Sequence, residues 1–238
     1  MLLQSPDIVR LLIIFIPQLI VAGLFLFLAI KLLRRNQQRP TVTLCMLYIL
    51  SGSGLIFNAM HVVLAAFQPE NVVLLLVIYF LSYFPMLFSA VFILTFMISI
   101  LRLGDVFTIK KQLIITLIYG FIIGIIFFTP NGITFSEQWR PIFSWVFLTL
   151  VYIVLTVFIV LPTLWYSRSL VKTFQDKILK RKLSIFITGV IGMLFSIYGI
   201  VLYITWQGSL FSSLWSILTT FIIIPSALFI YYGIGREL

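Results

Sequence analysis

Apolar positions along this chain neither alternate with polar ones nor recur as a stripe on one helix face; they continue unbroken for long stretches. Charge-free runs lie near 8 to 33, 42 to 67, 72 to 101, 113 to 129, 142 to 166, 183 to 206 and 212 to 232. Each is close to the ~20 apolar residues a helix needs to cross a hydrocarbon core of about 30 Å. Period-two alternation is absent, and segments apolar on every face suit helices that meet both lipid and neighbouring helices. The pattern predicts an all-α polytopic membrane protein, a seven-transmembrane-helix bundle forming a single domain over 1–238. Short connections such as "QPEN" set consecutive helices side by side and antiparallel.

Composition and charge sharpen this picture. With 62% hydrophobic and only 9% charged residues, the chain is far from a soluble domain. Of its 16 Lys and Arg, only Arg10 and Arg140 fall on one side of the expected topology, and the rest flank the opposite ends of the runs. Because cations near span ends stay on the cytoplasmic side, the expected topology has the N-terminus outside and the C-terminus cytoplasmic. The expected location is the cell membrane, as a multi-pass integral protein. The formal charge of +10 is explained by this asymmetry, so no nucleic-acid partner is expected. Cys45 is the single cysteine and forms no internal disulfide. The first apolar run is too long for a cleaved leader, and its cations follow it, so helix one is expected to remain.

Candidate chemistry is sparse. No Asp, Glu, Lys or Arg lies deep within a run, although such residues mark ion paths, proton relays and counter-ions. The last run has no lysine for a retinal Schiff base, and His61 is the one histidine, with neither a carboxylate pair nor a metal-ligand cluster. The expectation is therefore a protein that is not an enzyme and uses no cofactor. Helix two carries a polar stripe in which Ser51, Gly54, Asn58, His61 and Ala65 are spaced by threes and fours and share one face. This stripe suits close packing with an interhelical hydrogen bond from Asn58 or His61, or a ligand pocket in the outward half of the bundle. Gln18, Ser82, Tyr83, Tyr203, Ser216 and Thr219 lie at similar depth. The candidate ligand-binding set is Gln18, Asn58, His61, Tyr83 and Tyr203.

The stretch "SRSLVKTFQDKILKRKL" gathers Arg168, Lys172, Lys177, Lys180, Arg181 and Lys182 between helices five and six. Leu170, Phe174 and Ile178, with Val171 and Leu179, predict that helix five continues as a short amphipathic segment. Its cations suit anionic headgroups at the cytoplasmic face, or docking of a cytoplasmic signalling protein. Pro17, Pro85, Pro162 and Pro225 are expected to bend helices one, three, five and seven. Gly120 and Gly124 in "GFIIG" permit close helix approach, including a homodimer contact. Trp139, Trp145, Trp206 and Trp215, and Trp165, Tyr166, Tyr231 and Tyr232 at the opposite ends, read as interfacial anchors.

Three passages carry a resemblance: "KLLRRNQQRP" after helix one, "VKTFQDKILKRKLSIFITGVIG" entering helix six, and "IIIPSALFIYYGIGREL" at the end. Together they resemble the seven-helix membrane module at the N-terminus of many prokaryotic sensor histidine kinases. The resemblance implies signal input from the membrane or the outside, and it supplies no ligand residues to carry over. In that family a sensory or kinase domain usually follows the last helix, whereas this sequence stops at Leu238, so output is expected through a separate partner. G-protein-coupled receptors share only the helix count and orientation, since "ISILRLGD" lacks the acidic-arginine-aromatic triplet. Small seven-helix carriers repeat a Pro-Gln pair in both halves, but Pro17-Gln18 is matched here by Pro162-Thr163. The expected function is a stand-alone seven-helix sensor or receptor-like protein. The alternatives are a transporter of a small neutral solute and an assembly partner of another membrane protein.

Overall fold

The computed structural model describes residues 8–35, 37–100, 108–136, 139–173, 176–206 and 208–235. Arg102, Phe174 and Arg236 lie outside the described residues, as do the side chains of Arg10 and Ser216. Four long helices come first: α1 (Ile8–Arg35), α2 (Arg39–Phe67), α3 (Val72–Ile100) and α4 (Ile109–Phe127). A short hairpin follows, with β1 (Ile133–Phe135) antiparallel to β2 (Pro141–Phe143). The fifth rod is α5 (Trp145–Val154), a π-helical stretch (Leu155–Val160) and α6 (Leu161–Thr173) in direct continuation. The last two are α7 (Lys177–Thr205) and α8 (Ser209–Ile230), the latter ending in a π turn over Tyr231–Gly235. Six of these rods are long and apolar enough to cross a membrane, and α8 contributes a shorter apolar stretch, Leu218–Ile234. The protein is thus an all-α, multi-pass membrane-type bundle with one small hairpin.

Helices form here because hydrocarbon offers nothing to the backbone, so every N–H and C=O must be satisfied within its own segment. Small polar side chains follow the same rule. Ser82 donates to the Ile78 carbonyl at 2.7 Å, Ser167 to Thr163 at 2.7 Å and Thr205 to Val201 at 2.9 Å, each on its own helix. Pro162 has no N–H to give, and the π-helical residues 155–160 sit immediately ahead of it. The register change absorbs the missing bond. Pro17, Pro85 and Pro225 lie inside α1, α3 and α8.

The rods close into a ring. The α2–α3 pair is the most intimate, α1 flanks α2, α8 packs on α7 and returns to α1, and α3 reaches across to α4, α6 and α7. Close approach of α2 and α3 depends on Gly54, where an added Cβ would stand 2.6 Å from the Ser82 carbonyl oxygen. The side of Gly120 is likewise taken within the chain, because a Cβ there would meet the Phe88 ring of α3 at 2.8 Å. At one end, Arg39 donates to Gln112, which donates to Thr43, tying α2 to α4. Tyr48 donates across the bundle to the Ala227 carbonyl at 2.8 Å, just ahead of the terminal π turn.

Three sequence expectations change in detail. The helix expected from about residue 183 starts earlier: α7 begins at Lys177, with the Asp176 carboxylate capping the Ile178 N–H at 2.9 Å. Lys177, Lys180, Arg181 and Lys182 therefore occupy its first turns. Leu170 is buried on α6 while Ile178 is exposed on α7, two separate helices, so the apolar stripe is not one continuous face. Among the expected anchors, Trp145, Trp165 and Trp206 are exposed on the flanks, but Trp215 and Tyr231 are buried within the bundle.

Candidate functional site

The stripe on α2 divides into two halves with different surroundings. Toward the basic end, Ser51 is buried and donates to Ser89 of α3 at 2.9 Å, and Ser89 in turn donates to the Met86 carbonyl at 2.7 Å. The interhelical hydrogen bond expected of this stripe is thus made by Ser51, with Gly54 letting the two backbones approach. Toward the hairpin end, Asn58 is half-buried and His61 is 3% exposed, and the Nε2 of His61 is buried with no hydrogen-bond partner.

Aromatic rings enclose His61. Tyr79 of α3 meets it edge-on with centroids 5.9 Å apart, and the Tyr79 hydroxyl is also buried without a partner. Tyr83, one turn along α3, lies 4.9 Å from Tyr79. The hairpin supplies the cover: Phe135 of β1 contacts Tyr79 at 5.1 Å and His61 at 6.5 Å, and Phe143 of β2 contacts Tyr83 at 5.8 Å. Trp139, in the hairpin turn, packs on Phe135 at 5.7 Å.

The hairpin is a built lid. Residues 133–135 pair with 141–143, and Ser136 closes the turn, its N–H donating to the Arg140 carbonyl at 3.0 Å while its hydroxyl accepts the Arg140 N–H at 3.1 Å. Trp139 holds a left-handed backbone at φ 56°, uncommon for a bulky residue. Ser144 then accepts the Phe147 N–H at 3.1 Å and starts α5. These connections fix the lid to both helices it joins.

The five expected ligand residues are thus placed unevenly. His61 and Tyr83 belong to one cluster through Tyr79, Asn58 lies one turn from His61 on α2, and Tyr203 of α7 is half-buried. Gln18 of α1 is half-buried with its Oε1 lacking a partner. Ser82 and Thr219 are committed to carbonyls of their own helices. Sequence reasoning missed Tyr79, although "YFLSY" sets it four residues from Tyr83 on the same face, and missed Phe135, whose segment reads as a connecting loop. Arg168, Lys172, Lys177, Lys180 and Arg181 are exposed and Lys182 is half-buried.

The cluster has no nucleophile–base pair, and no group of three or more metal-ligating side chains occurs among the described residues. What it offers is hydrogen bonding inside an apolar wall. A separate cavity of about 620 Å³ opens at the basic end between Lys31, Arg34, Arg35, Tyr231 and Tyr232, where the Lys31 ammonium stands over the Tyr231 ring at 5.2 Å. No family model, curated protein or solved structure matches this chain.

Proposed function

We propose that this chain is a seven-crossing sensory or receptor-like membrane protein, N-terminus outside, that takes a small uncharged polar ligand under the hairpin at His61 and Tyr79. The observation that carries this reading is the pair of neighbouring buried groups, the His61 Nε2 and the Tyr79 hydroxyl, that make no hydrogen bond. A buried polar group left unsatisfied costs about 1–3 kcal/mol, and a ligand offering an acceptor and a donor removes that cost twice. Tyr83, Tyr203 and Asn58 would shape the pocket, and Phe135 would lift with the hairpin to admit the ligand. Displacing Phe135 frees one side of the α2–α3 pair, and α3 touches both α6 and α7, which lead to the exposed cations. Output to a separate protein through Arg168, Lys172 and the first turns of α7 follows from that connection.

The test is a thermal-unfolding screen of the full chain in nanodiscs against small uncharged polar solutes. A solute that raises the midpoint in the wild type should lose its effect in the double variant Asn58→Ala, His61→Ala. Stabilisation unchanged in that variant removes the site.

A further inference from the structure

A second feature lies on the flank of the bundle, away from the hairpin cluster. An apolar groove of about 600 Å³ lies between the fifth rod, α7 and α8. Along α7 it runs from Ile187 to Leu202, about 22 Å at 1.5 Å per residue. Its far end is walled by Trp215, whose ring lies against Gly199 so closely that any side chain there would collide with it. Tyr152 and Tyr198 form its deep wall and turn their polar atoms inward, Tyr152 donating to the Tyr198 carbonyl at 2.7 Å and Tyr198 bonding Thr156 at 2.6 Å. The groove therefore presents mostly hydrocarbon and ring faces, with Thr163 and Ser167 as the hydroxyl-bearing residues of its lining, and Ser167 donating to the Thr163 carbonyl.

Charge appears where the groove ends. On α6, Leu164 lines it, and the next residues in the same row, at steps of four, are Arg168 and Lys172. On α7 the row Ile191, Ile187 continues through Ser184 to Lys180. Arg168 and Lys180 are both exposed, so each wall of the groove extends into a cation just beyond its apolar length. An apolar channel with cations at one mouth matches the build of an anionic lipid: a charged head, then a long chain. The length is informative as well. One leaflet occupies half of a core about 30 Å thick, so a chain filling the whole groove lies extended past the bilayer midplane, more ordered than its free neighbours.

We infer that this groove is a binding site for one anionic glycerophospholipid, with an acyl chain along α7 and its phosphate held between Arg168 and Lys180. The site is independent of the ligand site proposed at His61. A headgroup fixed there bridges the end of α6 and the start of α7, where the cations gather.

Native mass spectrometry of the full chain, released from detergent after titration with phosphatidylglycerol or phosphatidylcholine of matched chains, tests this. The wild type should retain one phosphatidylglycerol in preference to phosphatidylcholine. Arg168→Gln with Lys180→Gln should cut that preference about thirtyfold, from two surface cations acting on one headgroup. Ile191→Trp and Leu164→Trp, placed at lining positions that also face the surroundings, should block retention of either lipid with both cations intact. Circular dichroism and gel filtration verify folding, and either Trp variant suffices if the other misfolds. Equal retention of the two lipids by the wild type, a preference that survives the double Gln variant, or a dimer that seals the groove without lipid would each overturn the assignment.

Discussion

The two halves of one helix face behave oppositely. Ser51 and Gly54, toward the basic end of α2, meet α3 with a hydrogen bond and a backbone approach that leaves no room for a methyl group. His61, two turns further along, meets α3 with a ring contact and an imidazole nitrogen that has no partner. Sequence spacing treats these positions alike, yet one half is finished as structure and the other is left chemically open. Small residues next to a partner backbone make a joint, whereas large polar residues under an aromatic cover leave buried polar atoms unpaired.

The widest separation between the halves should come from Gly54→Leu. It drives a side chain into the Ser82 carbonyl and should lower stability by at least the upper end of the roughly 1–3 kcal/mol that overpacking costs, read as a fall in the unfolding midpoint in detergent. In the open half the sign should reverse. Tyr79→Phe deletes a buried hydroxyl with no partner and should raise stability by about 1–2 kcal/mol, whereas Tyr119→Phe deletes one that donates to the Leu87 carbonyl at 3.0 Å and should lower it. A Tyr79→Phe variant less stable than wild type would mean that the open half is satisfied after all. Ser51→Ala should cost only about 0.6 kcal/mol, the average for an interhelical hydrogen bond in a membrane protein, measurable by equilibrium unfolding in mixed micelles. Phe135→Ala removes ring contacts to His61, Tyr79 and Trp139, and the signature that distinguishes it is access. The single histidine should react with diethyl pyrocarbonate faster once its cover is removed, and an unchanged rate would show that Phe135 is no lid.

Some of this was legible in advance. Ser51, Gly54 and His61 were readable as one inward-facing stripe because helical periodicity depends only on local spacing. The mid-helix prolines were equally visible, but not the π turn that accommodates Pro162, since the register of a helix is settled by what it packs against. The hairpin escaped notice because its strands are three residues each and their pairing carries little local signal. Tyr79 was overlooked because nothing along the chain separates a tyrosine whose hydroxyl finds a carbonyl, as Tyr48 and Tyr119 do, from one that finds none.

What the sequence determined alone is solvent preference: uninterrupted apolar segments of bilayer length, with cations confined to their ends, dictate helices in a hydrocarbon phase. Solvent preference is additive over residues and needs no knowledge of neighbours. Only the tertiary structure decided which polar atoms are paired, which helices line a groove and which ring covers the histidine. Those outcomes depend on the rotation of each rod about its axis, and that rotation is set jointly by contacts between residues far apart in the chain.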